Sequence, residues 1–285
     1  MVRSWSPGRV LVGAGVVVAL LGGAACSSSS EHAAGDRCNG QAQSPIRTCP
    51  QADTVPGIDV SSYQGTVDWN AVRASGKEFT FIRTVKRDTT VDTDFSANWK
   101  GAKSAGVLRG PYLFFAPSVD VDKQLTALAA ALDAEGGLAP GDLPVVLDVE
   151  VDDMLPIATV AARAADWLTK AEARFGIKPL VYTSASFATP MNGALASWSL
   201  WVANYKVTCP DLPGGWTTFA FWQSGQGTTP GIAGAVDVNV FNGTRAQLDE
   251  LLVGVPAAPD AGGPPEAGPP PAVDAAPPPP PPPCL

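Results

Sequence analysis

Between residues 56 and 253 the chain is built from short apolar, β-branched and aromatic runs, and their recurrence constrains the fold more than any other feature. The runs cover 57–61, 79–85, 108–115, 143–151, 179–184, 199–205, 218–223 and 236–242. Several are continuous rather than alternating, as in Val145-Val146-Leu147, which suits strands covered on both faces in a parallel sheet. Helical patterns sit between the early runs. Asp68 is placed to cap a short helix ended by Gly76. Phe95, Trp99 and Ala102 mark one face of a second helix, and Leu125, Leu128, Ala129 and Leu132 line a third. Val160, Ala164, Trp167, Leu168, Ala171 and Phe175 line a longer fourth, ended by Gly176. The last three runs have no helical pattern between them. Thr244 with Gln247 is a capping-box pattern opening a final helix over 245–253. The expected class is α/β: an irregular (β/α) TIM-like barrel of eight strands, with helices incomplete in the second half. Chemistry in such barrels sits at the C-terminal ends of the strands.

The flanks have a different character. Residues 1–25 have the layout of an export signal: Arg3 and Arg9, an apolar stretch over 10–21, then Gly23-Ala24-Ala25. Cys26 follows at once, which resembles a bacterial lipoprotein signal whose cysteine becomes the lipidated N-terminus. Plain secretion is the alternative. The expected location is the cell envelope, anchored to the membrane through Cys26, or otherwise periplasmic or secreted. Residues 26–55 read as a flexible tether, 56–253 as the folded domain, and 254–285 as a Pro/Ala/Gly-rich disordered tail. Export permits disulfides. With Cys26 lipidated, Cys38, Cys49, Cys209 and Cys284 allow three pairings, and Cys38 with Cys49, the shortest loop, is the expected bond.

Charge and composition exclude several functions. A net charge of −8 has the wrong sign for a nucleic-acid binder. The single histidine, His32, rules out Ser-His-Asp and Cys-His catalysis and multi-histidine metal sites. No CxxC unit and no nucleotide loop is present, so neither metal nor cofactor is expected. Acid–base chemistry in this chain must come from carboxylates.

Asp148 and Glu150 end the fourth run. Period-2 geometry puts them on one face with Cα atoms about 6.6 Å apart. Burial and like charge raise carboxyl pKa values, which is how a carboxyl group stays protonated to act as a general acid. Asp59 ends the first run, and Asp237 lies on the last, which would close the barrel beside the first. Tyr63, Tyr112, Tyr182, Trp201, Tyr205 and Trp222 accompany these acids. Acids set among apolar faces are what carbohydrate binding and cleavage require.

These residues resemble glycoside hydrolase family 25, the Chalaropsis-type lysozymes. The resemblance opens with Gly57-Ile58-Asp59-Val60-Ser61, Gln64-Gly65 and Asp68-Trp69. It continues through Gly110-Pro111-Tyr112, Leu147-Asp148-Val149-Glu150 and Val181-Tyr182-Thr183-Ser184. Trp201-Val202-Ala203, Phe221-Trp222-Gln223 and the stretch 236–242 close it. The resemblance implies a barrel muramidase that cuts the β-1,4 bond between N-acetylmuramic acid and N-acetylglucosamine. It implies peptidoglycan glycan strands as partner and a monomer. It casts Glu150 as general acid and Asp148 as the carboxylate that stabilises or orients the reacting centre. Asp59 and Asp237 are the remaining acids of the cleft, with Asp148, Asp59 and Asp237 expected to be ionised. Two departures stand out. Lys86 replaces an acid after the second run, and Leu113 replaces a polar residue in the third. They leave a non-catalytic wall-binding pseudoenzyme as the alternative, and a structural envelope scaffold as a third reading.

Overall fold

A computed structural model describes residues 45–255. The expected export signal, Cys26, Cys38, Cys284, the tether up to residue 44 and the tail from 256 lie outside the described residues. The strands are β1 (Ile46–Arg47), β2 (Val55–Val60), β3 (Phe79–Val85), β4 (Leu108–Phe114), β5 (Val146–Asp148), β6 (Leu180–Ser184), β7 (Ser199–Ala203), β8 (Asp211–Leu212), β9 (Phe221–Gly227) and β10 (Val236–Phe241). The α-helices are α1 (Trp69–Ala74), α2 (Phe95–Ser104), α3 (Val121–Asp133), α4 (Ile157–Phe175), α5 (Ala185–Ala188) and α6 (Arg245–Asp249).

Eight strands close a barrel in the order β10-β2-β3-β4-β5-β6-β7-β9. The strands from β2 to β7 run parallel, as does β9 beside β7. β10 is antiparallel to both of its neighbours and seals the barrel between β9 and β2. The last run therefore lies beside the first, as expected, but with reversed direction. α2, α3 and α4, of 10, 13 and 19 residues, cover the parallel half, and α5 is a single turn. Asp68 caps α1 by accepting from the backbone N–H groups of Asn70 and Ala71. Gly176 ends α4 in the left-handed conformation, φ 68°, that glycine adopts without steric cost.

Strand alternation sorts the core into two layers. Ile58, Ile82, Leu113, Leu147, Val181, Val202 and Trp222 face outward and pack on Trp99, Leu128, Leu132, Trp167 and Leu168 of the helices. Phe79, Phe81, Tyr112, Val146, Tyr182, Trp201, Phe221 and Phe241 fill the barrel interior. Phe81 stacks on Trp201 at 4.5 Å, and Phe221 meets Phe81 edge-on at 5.0 Å. Rings this large need glycine opposite them. A Cβ on Gly57 would lie 2.4 Å from the Phe79 ring, and one on Gly110 2.7 Å from Phe81.

The tether boundary needs correcting. Residues 45–55 pack on the barrel because three contacts hold them there. β1 pairs with β8, the Gln51 backbone N–H donates to the Asn242 side chain at 2.7 Å, and Cys49 is bonded to Cys209. That disulfide overturns the Cys38–Cys49 pairing: the bond that forms joins cysteines 160 residues apart. Short sequence separation was the wrong criterion, because β8 brings Cys209 to the N-terminal arm. The final helix is also shorter than expected, since α6 ends at Asp249 and the chain continues in turns.

Cross-linking so long a loop constrains the unfolded chain by about 5 kcal/mol in the loop-entropy description, and measured losses run at about 2–5 kcal/mol. Replacing both Cys49 and Cys209 by Ser should lower the urea midpoint and raise the m-value, because the unfolded chain is no longer cross-linked. An unchanged midpoint would show that the Cys49–Cys209 bond contributes nothing to the stability of the barrel.

Candidate active site

One open cleft of about 260 Å³ lies at the barrel mouth, and all four singled-out acids line it. Alternation along β5 explains two of them: Val146 and Asp148 face in, Leu147 and Val149 face out, and Glu150 follows on the inner side. Asp59 faces in from β2. Asp237 reaches the same rim from the beginning of β10 because that strand is antiparallel, and the two residues are register partners.

Of the six aromatics, Tyr63, Tyr112, Tyr182, Trp201 and Tyr205 line the cleft. Tyr112, Tyr182 and Trp201 form its buried floor, while Tyr63 stands almost fully exposed at the lip. Trp222 does not belong to this group. Alternation turns it outward into the layer beneath the helices, where its indole N–H donates to the Asn204 carbonyl at 2.8 Å. Leu113 is also outward-facing and fully buried, so the departure at that position does not alter the cleft. Lys86 lies in a cavity adjoining it.

A hydrogen-bonded network missing from the sequence reading holds the acids. The Gln223 side-chain N–H donates to Asp59 Oδ2 at 2.8 Å, and Gln223 Oε1 accepts from the hydroxyls of Tyr182 and Tyr205. Asn239 donates to the same Asp59 oxygen at 2.7 Å and accepts from the Trp201 indole N–H at 2.8 Å. Gln223 and Asn239 stood in the quoted motifs, but nothing in their spacing marked them as the acid's partners. Arg83 enters from β3, with Nε on Asp92 at 2.8 Å.

Burial raises every acid of the cleft. Asp59 is pushed up to about 7, by desolvation first and the charge of Asp237 second, against the opposing hydrogen bonds of Asn239 and Gln223. Asp148 is held well above the usual carboxylate range by desolvation and by Glu150 and Asp59. Its Oδ1 is buried without a hydrogen-bond partner among the described residues. Glu150 stands at the rim, open to solvent on one side and crowded on the other. Desolvation and the charge of Asp237 raise it, and Arg87 opposes them. Desolvation also raises Asp237. Asp148 and Asp59 are more deeply buried than Glu150, so burial favours protons on these aspartates as well as on the glutamate, where the expectation had the aspartates ionised.

The sequence profile described as "Glycosyl hydrolases family 25" matches residues 58–232. The chain belongs to glycosyl hydrolase family 25. This hydrolase is 37% identical over 217 residues to the uncharacterised protein YegX of Escherichia coli O6:H1, covering 74% of this chain and 78% of that one. It is 36% identical over 220 residues to Lysozyme M1 of Streptomyces globisporus, covering 71% and 73%. The solved bacterial lysozyme of Streptomyces coelicolor superposes with a TM-score of 0.65 at 31% identity, covering 71% of this chain and 98% of that one. Family membership makes this chain a glycoside hydrolase and accounts for the closed barrel.

The shift at Asp59 has a consequence for stability. Its folded pKa of about 7 lies above the unfolded value of about 3.8, so the native state binds the extra proton. The penalty for ionising it is absent below pH 4, grows as pH rises towards 7 and is complete above it. Asp59→Asn should therefore stabilise the family 25 hydrolase by on the order of 2–4 kcal/mol at pH 8 and by little at pH 4. Thermal melts of both proteins across that range check this, and a difference independent of pH would contradict it.

Proposed function

We propose that this hydrolase is a muramidase, cutting the β-1,4 bond between N-acetylmuramic acid and N-acetylglucosamine in peptidoglycan, with Glu150 as proton donor. The observation that carries the reading is the convergence of Asp59, Asp148, Glu150 and Asp237 in one tyrosine-walled cleft. Lysozyme M1, by its name a wall-degrading enzyme, is a relative across most of the chain.

Their different depths support different work for Asp148, at the end of β5, and Glu150, two residues beyond it. A sugar alkoxide is too poor a leaving group to depart unprotonated, so the glycosidic oxygen needs a proton as its bond to the anomeric carbon breaks. Glu150 is at the solvent-facing rim, where a glycan can reach it, and desolvation and the charge of Asp237 both favour its protonated form. Asp148 lies deeper in the same cleft, with its Oδ1 buried and without a hydrogen-bond partner among the described residues. Burial favours its protonated form. An acetamido N–H of the bound sugar and the positive charge growing at the anomeric carbon both favour its ionised form. Bound substrate thus supplies what the resting site lacks, and the productive state has Glu150 protonated and Asp148 ionised. Water then completes hydrolysis at the anomeric carbon. Asp59 and its amide partners keep the floor rigid, and Tyr63 and Tyr205 offer faces for sugar rings.

The 1–25 signal and Cys26 extend the reading to an exported, lipid-anchored protein. Cys26→Ser would release such a protein from the membrane fraction.

Glu150→Gln should cut release of reducing ends from purified peptidoglycan by about 10²–10⁴ while leaving glycan binding intact. Asp237→Asn removes the negative charge that raises Glu150, so the proton donor loses its proton at lower pH. The alkaline limb of the kcat/KM profile should move down accordingly. Equal clearing by Glu150→Gln and wild type would remove Glu150 from the role.

A further inference from the structure

We propose that the cavity beside the cleft, lined by Arg83, Lys86 and Arg87, is a subsite for a carboxylate carried on the glycan strand. The inference rests on the muramidase reading and deepens it. The cavity measures about 360 Å³ and shares Tyr63, Arg83 and Phe114 with the cleft as common walls, so a substituent on a sugar in the cleft enters it directly.

The chain builds this cavity by a specific device. β3 and β4 pair in register up to Arg83 with Tyr112, then the register shifts, and Val85 rather than Thr84 faces Leu113. That bulge inverts the alternation. Arg83 points into the cleft, Val85 turns out into the helix-facing core, and Lys86 returns to the inner side. Such bulges commonly re-aim side chains beside active sites. The turn that follows is pinned, because the Lys86 N–H donates to the Thr90 carbonyl and the Thr89 N–H to the Lys86 carbonyl, each at 2.9 Å.

The three cations differ in what they can give. Arg83 is ion-paired with Asp92 at 2.8 Å and lies 4.9 Å from the centre of the Tyr63 ring. Arg87 is ion-paired with Asp153 and lies over the Phe114 ring at 5.7 Å. Both guanidinium groups are ion-paired and lie against aromatic walls. Asp88 also borders the cavity, with its Oδ1 accepting from the Thr90 N–H and hydroxyl. Lys86 has no ion-pair partner within 4 Å among the described residues; Asp88 on the same wall feels its charge without pairing with it, so of the three cations Lys86 is the one with contacts left to give. Muramic acid bears a lactyl group extended by a peptide stem, so carboxylates are the anions this substrate presents next to its cleaved bond.

The test uses three forms of one peptidoglycan: native, with its carboxylates converted to methylamides, and with its peptide stems removed so that the lactyl carboxylate is freed. Co-sedimentation gives Kd for the full-length protein and for Lys86→Glu, and reducing-end release gives kcat/KM. The wild type should bind the native form about fivefold to tenfold more tightly than the methylamide form, the scale of one partly screened charge pair. Lys86→Glu should abolish or invert that ratio, and raised salt should shrink it in the wild type. Because the lactyl carboxyl is amide-bound in the native form, a native-over-methylamide preference assigns the site to a stem carboxylate. Stripped glycan that binds as tightly as the native form shows that the freed lactyl carboxylate enters it too, and stripped glycan that binds like the methylamide form restricts it to the stem. An equal native-to-methylamide ratio in both proteins overturns the subsite. Absence of reducing ends from every substrate defeats the muramidase reading alone, because the binding ratio still decides the subsite.

Discussion

The site depends on one strand running the wrong way. β10 closes the barrel antiparallel to both β9 and β2, and its first residues therefore lie where the parallel strands end. Asp237 reaches the acidic rim only for that reason. The same strand carries Asn239, two residues further in, which joins Asp59 to the Trp201 indole. A parallel eighth strand would send residue 237 to the opposite end of the barrel. It would also leave the most buried oxygen of Asp59 with one donor instead of two.

Charge is buried at both ends of the barrel, under opposite terms. Beneath the helices Arg109 and Asp142 form an ion pair at 2.7 Å, with a further Arg109 N–H on the Trp99 carbonyl and the guanidinium 3.8 Å from the Trp99 ring centre. Each group there has its partner, and such a pair is costly only when broken. At the mouth four carboxylates face one another with Arg83 and Arg87 as nearby cations, and these are already committed to Asp92 and Asp153. Gln223 and Asn239 can donate hydrogen bonds but no charge. The mouth is therefore left to resolve its repulsion by holding protons, which a site that donates protons requires. Stability is given up where the chemistry occurs and recovered in the aromatic interior below it.

Alternation made much of this legible from sequence. The Asp148/Glu150 spacing correctly put both acids on one face, and the continuous runs correctly indicated strands covered on both sides. The same rule, applied to Phe221-Trp222-Gln223, would have turned Trp222 outward and marked Gln223 as the inward residue. At Tyr112-Leu113-Phe114 it would have removed Leu113 from the cleft. Those errors came from treating aromatic or polar character as a guide to the face when parity decides it. The Cys49–Cys209 bond was beyond such reasoning, because it depends on where a two-residue strand 160 positions away comes to rest. The order of proton affinities was illegible for a similar reason. Relative depth, which puts Asp148 below Glu150, is a property of the closed barrel.

Where alternation itself fails, it fails twice beside the cleft and to the same effect. On β3 the bulge at Thr84 carries Lys86 to the inner side. On β9 the register against β10 slips between Gln223 and Gly225, skipping Ser224. Gln223 stays inward, and the extra residue brings Gln226 opposite Asp237, where its amide opposes the rise in that acid's pKa. Without the slip, strict alternation would present residue 225, a glycine, on that side. Each bulge thus adds one polar side chain to a rim that regular strands could not have furnished. The two interruptions therefore decide which polar groups line the mouth.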